Sequence, residues 1–185
     1  MEDMQPEQLA GSGYREYALQ DMQPEQLAPG EYKEYFQTYY EGFSRRVLVV
    51  DEEVPYPEGK LIVSRTDSKG IITHANQAFI DMSGYTAEEL IGQLHSILRH
   101  PDLPAIAFKG LWDTLAKGER WQGYVKNLRR DGRYYWVFAT AIPNIRDGKV
   151  VGYTSVRRKP SRTRVNECVP LYAQLLQQER EAKQS

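Results

Sequence analysis

The chain is poor in cysteine and histidine, has almost no net charge and lacks any long apolar run. Cys168 is the one cysteine among 185 residues, so no disulfide can form within the chain, which is typical of a cytoplasmic protein. No stretch of about 18 apolar residues predicts a membrane span. The formal net charge of −1 gives no indication of binding to nucleic acid or to an anionic membrane.

The same scarcity limits the chemistry that the sequence can predict. The histidines His74, His95 and His100 are scattered, and together with one cysteine they do not form a metal-binding motif. The sequence contains no phosphate-binding glycine loop and no Ser/His/Asp or Cys/His order typical of a catalytic site. It therefore predicts neither a metal site nor an enzyme.

The first 40 residues contain a tandem repeat. DMQPEQLAGSGYREYALQ (3–20) is followed by DMQPEQLAPGEYKEYFQT (21–38). Two short copies cannot bury a core, because repeat folds need about three or more copies. Residues 1–40 are therefore predicted to be a flexible arm, and residues 41–59 a linker or an N-terminal cap. The alternative interpretation is a bivalent docking peptide, in which two linked weak sites raise avidity.

Residues 60–160 have the pattern of one α+β domain. Two alternating, β-branched runs within 61–75 predict strands, and apolar residues at helical spacing follow within 76–118. Asp-Gly pairs beginning at Asp131 and Asp147 then separate three further strand patterns, which is a strong hairpin signal. Grouped strands and grouped helices predict a five-stranded antiparallel sheet with short helices on one face.

The last segment, 161–185, is predicted to be a C-terminal helix. The helical pattern begins at Asn166, with Pro170 in the first turn and an apolar stripe that includes Tyr172. The basic run RRKPSRTR before this pattern is interpreted as a solvated linker. The helix is expected to pack on its own domain, with pairing to a partner helix as the alternative.

Several motifs, in this order, resemble a PAS domain. ITHANQAFIDMSGYTAEELIGQ is close to the start of the family pattern. RHPDLP (99–104), FKGLWDTLAKGERWQGYVKNLRRDG (108–132) and GYTSVRR are similar to the sensory PAS domains of bacterial aerotaxis receptors. The resemblance covers residues 60–159 and does not include the repeat. It implies the PAS fold and a sensor that holds FAD noncovalently and responds to redox or oxygen status.

The aromatic residues of this region are candidate walls for a flavin. An isoalloxazine ring needs an apolar slot, and aromatic side chains supply flat apolar surface. Trp112 and Trp121 match positions that border the flavin in the resembling family, with simple core packing as the alternative. Phe108 and Trp136 are equally consistent with a cavity wall and with a core position.

The resemblance also implies polar contacts to the flavin. Asn127 matches a pocket position, where a carboxamide can pair with an N–H and a carbonyl of the ring. Asn76 is either the N-cap of a helix or a second polar contact. Arg99, His100 and Asp102 would hold the loop beside the cavity or contact the ribityl and phosphate part of FAD. From the residues alone, Asp102 could instead cap the long helix or pair with Arg99.

These features predict a cytoplasmic redox or oxygen sensor that binds FAD and signals to a partner protein. A chemoreceptor or a kinase is a candidate partner, and a homodimer remains open. A cofactor-free PAS interaction module is the alternative, and an open or a filled pocket distinguishes the two. Haem held by His95 or His100 is a minor alternative. HSILRHPD contains no cysteine, so the blue-light adduct chemistry of LOV flavoproteins is not predicted.

Overall fold

The computed structural model describes residues 19–39 and 42–185, which form a two-stranded and a five-stranded sheet. The strands are β1 (Tyr32–Thr38), β2 (Ser44–Val50), β3 (Ile62–Asp67), β4 (Ile72–Ala75), β5 (Trp121–Leu128), β6 (Tyr134–Arg146) and β7 (Lys149–Arg158). Strands β1 and β2 pair with each other, and the larger sheet has the order β4-β3-β7-β6-β5. All pairs are antiparallel, so the predicted α+β fold with five antiparallel strands is confirmed.

Both predicted Asp-Gly turns join neighbouring strands. Asp147 and Gly148 have φ angles of 50° and 74°, and they connect β6 to β7 as a two-residue hairpin turn. At the other turn, Gly132 has a φ of 83° and its N–H donates to the carbonyl of Arg129 at 3.0 Å. Aspartate and glycine tolerate positive φ better than other residues do, which explains why these pairs end the strands.

Four short helical segments connect β4 to β5 and cover one face of the sheet. They are α1 (Gln77–Ser83), α2 (Ala87–Leu90), a 3-10 helix (His95–Leu98) and α3 (Ala105–Ala116). Thr86 and Glu89 cap the start of α2 reciprocally, as their spacing predicts. The main core lies between these helices and the sheet, and its fully buried members include Ile62, Ile72, Phe79, Leu90, Leu98, Tyr135 and Val137.

The hairpin of β1 and β2 crosses the boundary that the sequence analysis placed at residue 40. Strand β1 belongs to the predicted arm and β2 to the predicted linker, and the two pair from Tyr32↔Val50 to Thr38↔Ser44. The run of buried apolar residues in β2 requires a covering partner, and the domain supplies one through hydrogen bonds such as Val50 N to Gly132 O at 2.8 Å. The predicted flexibility of residues 1–18 lies outside the described residues.

The C-terminal helix, α4 (Arg162–Gln184), starts earlier than expected. Ser161 accepts a hydrogen bond from the N–H of Arg164 and so caps the helix, while buried Val165 anchors its first turn. The interpretation of RRKPSRTR as a linker and of Pro170 as a first-turn residue was therefore wrong, because Pro170 lies inside the helix. No helix in the described part of the chain is both long and apolar enough to cross a bilayer.

Candidate ligand-binding cleft

An open cleft lies between α3 and the inner face of the five-stranded sheet. It has two adjoining lobes of about 630 Å³ and about 720 Å³, which include solvent space at their mouths. Both lobes are bordered by His95, Arg99, Phe108, Leu111, Ala141 and Ser155. The lining is mostly apolar with a few polar groups, which is typical of ligand sites.

Strand β5 directs two of the predicted residues into the cleft. Trp121 and Asn127 lie on the same face of β5, because side chains alternate along a strand, and both line the first lobe. Asn127 is only 5% exposed, and its carboxamide lies near the Tyr135 hydroxyl without reaching hydrogen-bond geometry. Gly123 lies between the two, and a Cβ there would be 2.5 Å from the Trp121 ring. The indole therefore lies over a position that has no side chain.

The opposite wall of the cleft comes from α3. Phe108, Leu111 and Trp112 follow one another at helical spacing and border the two lobes. The guanidinium carbon of Arg99 lies 4.7 Å from the centroid of the Phe108 ring, which is a favourable cation–π distance. Trp112 packs edge-on against Tyr153, with ring centroids 5.6 Å apart. The helix thus presents a flat, largely apolar surface to the sheet.

The guanidinium of Arg157 is a buried positive charge at the inner end of the cleft. Its two terminal nitrogens are each 2.9 Å from an acceptor, one from His95 Nε2 and the other from Ser64 Oγ. No carboxylate among residues 19–39 and 42–185 forms an ion pair with it. Burial lowers the pKa of Arg157 to about 10, so the group stays protonated at neutral pH. The cleft therefore contains a cation whose charge no side chain neutralises.

His95 binds this cation and borders both lobes of the cleft. Its Nε2 accepts the hydrogen bond from Arg157, which places the ring proton on Nδ1. Burial and, secondarily, the charge of Arg157 lower the pKa of His95 to about 3, so the imidazole is neutral at physiological pH. A neutral histidine cannot neutralise the charge of Arg157, but its hydrogen bond holds the guanidinium in place.

The segment RHPDLP is held rigidly at the edge of the cleft. His100 Nδ1 accepts a hydrogen bond from the backbone N–H of Asp102 at 3.0 Å, and its ring packs edge-on against Tyr134. Burial first, and then the charge of Lys126, lowers the pKa of His100 to about 3. The Asp102 carboxylate accepts a hydrogen bond from Lys126 Nζ at 2.8 Å. Burial raises the pKa of the Asp102 carboxyl, but the hydrogen bond from Lys126 outweighs it, so this pKa lies below its usual range. These contacts fix the conformation of the RHPDLP segment.

The structure brings four of the seven candidate residues together in the cleft. These four are Arg99, Trp112, Trp121 and Asn127. The backbones of Arg99 and Asn127 also form an antiparallel bridge, which ties the RHPDLP segment to β5. His100 and Asp102 do not border either lobe, so their predicted contact with a ligand remains a prediction. Asp102 does not cap α3 either, because its carboxylate is directed to Lys126.

Asn76 is used as a helix cap. Its Oδ1 accepts from the N–H groups of Phe79 and Val63, each at 3.0 Å. Its Nδ2 donates to the carbonyl of Leu61 at 2.8 Å. Both polar atoms are therefore bonded within the protein, and the residue borders neither lobe. A direct contact of Asn76 with a ligand would require these bonds to break.

The structure separates the two aromatic residues for which the sequence allowed either a cavity wall or a core position. Phe108 borders both lobes of the cleft. Trp136 lies elsewhere: it is buried beneath α4, where its ring stacks with Tyr172 at a centroid distance of 6.1 Å. The reason is strand alternation, since the neighbours of Trp136 in β6, Tyr135 and Val137, belong to the main core and Trp136 faces the other way.

Sequence reasoning missed Arg157 and Ser155 and considered His95 only as a haem ligand. Tyr153, Ser155 and Arg157 alternate along β7 and all border the cleft. A signal for Arg157 was present, because a charged residue at an inward strand position is uncommon without a partner. That partner could not be recognised, since His95 and Ser64 lie far away along the chain.

The replacement Gly123→Ala is expected to disturb the cleft more than the fold. The added methyl group would meet the Trp121 ring at 2.5 Å, so the indole must rotate away from β5. We expect a change in Trp fluorescence and weaker binding of any cleft ligand. Gly110→Ala in α3 is the matched control, because no atom lies within 4 Å of its added Cβ. That control should gain about 1 kcal/mol in unfolding free energy from helix propensity.

Comparison with known proteins identifies the family of this fold. The family model described as PAS fold matches residues 72–157, which hold β4, the short helices, α3 and strands β5 to β7. Residues 72–157 form a PAS domain. The resemblance inferred from the motifs is therefore confirmed. The lining residues of the first lobe of the cleft all belong to this PAS domain.

Two curated relatives of this PAS domain come from bacteria. The aerotaxis receptor of Escherichia coli strain K12 is 45% identical over 127 residues, which is 69% of this chain and 25% of the receptor. A biofilm dispersion protein of Pseudomonas aeruginosa is 35% identical over 95 residues, covering 48% of this chain and 22% of that protein. The chain thus spans a quarter or less of the length of these relatives.

Solved structures share the fold of this PAS domain. The light-state structure of the blue-light photoreceptor Aureochrome1 LOV aligns with a TM-score of 0.52 at 23% identity. The alignment covers 65% of this chain and 91% of that structure. A second LOV domain, studied with a flavin analogue, aligns with a TM-score of 0.50 at 24% identity, covering 66% and 87% of the two chains. At this level of identity the similarity concerns the fold.

Proposed function

We propose that this PAS domain binds a flavin, held noncovalently as FAD, and signals redox or oxygen status to a partner protein in the cytoplasm. The proposal rests on one observation above all: the uncompensated charge of Arg157 borders the same lobe of the cleft as the Asn127 carboxamide and the flat apolar walls. Such a cleft suits a planar ligand that carries or gains negative charge. Similarity to the aerotaxis receptor supports the same assignment.

The residues of the cleft fit the parts of a flavin. Phe108, Leu111 and Trp121 offer apolar surface on two sides of a slot, which suits a ring system. The Asn127 carboxamide can both donate and accept, as the pyrimidine edge of a flavin requires. Arg99 is a second cation that borders the cleft, and an arginine fork can bind two phosphate oxygens.

The chain's own residues would tune the redox chemistry that a bound flavin supplies. Arg157 would stabilise negative charge in the cleft, because it is buried and pairs with neutral acceptors only. The Asn127 carboxamide can rotate and exchange donor for acceptor when the protonation of a ligand changes. Helix α3 and Trp121 would shield these contacts from water, which keeps the electrostatic interactions strong.

Helix α4 offers a route from the cleft to a partner. The carboxylate of Glu179 accepts hydrogen bonds from the N–H groups of Ala105 and Ile106, at 3.1 and 3.0 Å, and so caps the start of α3. The Tyr172 hydroxyl donates to the carbonyl of Tyr124 in β5 at 2.7 Å. Both walls of the cleft therefore contact α4, so a ligand that moves α3 would shift the population of docked α4. A chemoreceptor or a kinase that contacts α4 would detect this change.

Two observations support this proposal over the alternatives. The open volume between α3 and the sheet favours a ligand-binding domain over a cofactor-free interaction module, whose side chains would fill that space. Cys168 lies in α4 and borders neither lobe, so the cleft is better suited to reversible redox change than to a flavin–cysteine adduct.

An absorption spectrum of the purified protein tests the proposal. We expect the two near-UV and blue bands of an oxidised flavin, bleached by a reductant, and release of FAD on denaturation. A sharp Soret band would indicate that the bound cofactor is haem and not a flavin. A protein that stays colourless after incubation with FAD would refute the proposed ligand.

The variant Asn127→Ala is expected to weaken FAD binding about five-fold. The loss corresponds to about 1 kcal/mol for a removed hydrogen bond, with little effect on the fold because the side chain lines open space. Trp121→Ala should weaken binding similarly, through lost stacking surface. Gln122→Ala, an exposed neighbour on the outer face of β5, is the control. Titration of FAD fluorescence measures the affinities, and equal values for Asn127→Ala and the control would contradict the assignment.

A further inference from the structure

The second copy of the repeat, DMQPEQLA at 21–28, is seated on the surface of the domain. The Asp21 carboxylate accepts a hydrogen bond from the N–H of Arg46 in β2 at 2.7 Å. At the other end, the N–H of Ala28 donates to the carbonyl of Asp131, in the turn between β5 and β6, at 2.9 Å. The octapeptide is thus held at both ends by the folded domain.

Two apolar side chains of the octapeptide pack on this surface, one buried and one half-buried. Met22 is 3% exposed, and it belongs to a small apolar cluster. The other buried members of the cluster are Val47, Leu48, Val49 and Leu128. Leu27 packs over the next turn, where its Cδ2 is 2.8 Å from the position of a Cβ at Gly132. We call this surface, formed by Arg46, Val47, Leu128, Asp131 and Gly132, the arm groove.

The first copy of the repeat carries the same groups at the same spacing. Residues 3–10 also read DMQPEQLA, so they contain the aspartate, methionine, leucine and alanine that the arm groove binds. The similarity continues beyond the octapeptide, because YREY (14–17) corresponds to YKEY (32–35), which begins β1. Nothing in the octapeptide itself allows the arm groove to distinguish the two copies.

We propose that the arm groove is a two-register binding site, which residues 3–10 of the same chain occupy when residues 21–28 leave it. Both copies lie on one chain, so the released groove meets the first copy at a high effective concentration. The longer loop that the second register requires costs little, because loop-closure entropy grows only slowly with length. The arm is therefore a ligand of its own domain with two alternative seats.

The change of register would reach the cleft. In the described register Leu19 lies in the main core, and the carbonyl of Gln20 accepts a hydrogen bond from Arg45 at 3.1 Å. The same guanidinium donates to the carbonyl of Ile97, in the 3-10 helix beside the cleft, at 3.1 Å. In the second register Leu19 and Gln20 take the positions of residues 37–38 in β1 and give up these contacts. The two registers of the arm therefore make different contacts with the residues that pack against the 3-10 helix.

Methionine methyl NMR on the full chain tests the proposal. The chain has four methionines, so each methyl signal can be assigned by substitution. Met22→Asp puts a charge in the arm groove and should expel the second copy. The Met4 methyl signal is then expected to move to the buried position that the Met22 methyl has in the wild type. Adding Leu9→Asp to Met22→Asp should return the Met4 signal to its wild-type position.

Two further variants and a mass measurement complete the test. Met22→Leu keeps an apolar side chain and should leave the Met4 signal unchanged. Leu27→Asp, at a half-buried position, repeats the expulsion with a smaller perturbation and should again move the Met4 signal. A Met4 signal that stays the same in wild type, Met22→Asp and Leu27→Asp would overturn the proposal. A dimer of Met22→Asp in light scattering, with a Met4 shift that disappears on dilution, would overturn the same-chain version.

Discussion

The variant Arg157→Gln is expected to lose FAD while the flavin-free domain stays folded. Arg157 is 2% exposed and donates to His95 and Ser64, which are both uncharged acceptors. Removing a buried charge relieves a desolvation cost, and this offsets the loss of hydrogen bonds in the empty cleft. A ligand that carries or gains negative charge would lose a charge-assisted interaction of about 1.5–3 kcal/mol. Affinity should therefore fall about 10- to 150-fold.

Titration of FAD into the flavin-free variant measures this effect. Arg158→Gln is the matched control, because this substitution removes the same charge from the domain at a neighbouring side chain that is exposed. The far-UV circular dichroism of both variants should match the wild type. Equal FAD affinities of the two variants would contradict the role assigned to the buried cation, whatever the outcome for Asn127.

Acid is expected to destabilise the flavin-free domain well above the pH at which carboxylates titrate. His100 is almost fully buried, and its pKa is lowered from 6.5 to about 3 by burial and by Lys126. Below pH 6.5 His100 therefore binds a proton in the unfolded chain but stays neutral in the folded chain. The free energy of unfolding consequently falls as the pH falls toward about 3. Each such histidine contributes about 1.4 kcal/mol of lost unfolding free energy per pH unit. His95, with a pKa also lowered to about 3, should add to the slope.

Urea unfolding between pH 6 and pH 5 isolates this contribution, because most carboxylates remain ionised there. His100→Asn replaces the titrating ring with a carboxamide whose oxygen can accept the same bond from the N–H of Asp102. The slope of unfolding free energy against pH should fall by about 1.4 kcal/mol per unit in this variant. His74→Gln, at an exposed position, is the control. An unchanged slope in His100→Asn would show that His100 does not hold its neutral form in the fold.

Local patterns in the sequence determined the sheet, the helices and part of the cleft. Period-two alternation, the Asp-Gly turns and the capping box at Thr86 act within a few residues, so they can be recognised without a structure. The same alternation places Trp121 and Asn127 on one face of β5, and the resemblance to PAS domains implied that this face lines the pocket. The spacing around Asn76 allowed a cap or a ligand contact, and packing at the start of α1 favours the cap.

Only the tertiary structure decided which distant groups meet. Arg157 reaches His95 across 62 residues, and Glu179 reaches the start of α3 across more than 70. The second copy of the repeat and β1 belong to a polar arm by composition, yet they are ordered because the folded domain presents the arm groove and the edge of β2. Such contacts depend on the packing of separate elements, whereas sequence patterns report only the preference of each element for its own conformation.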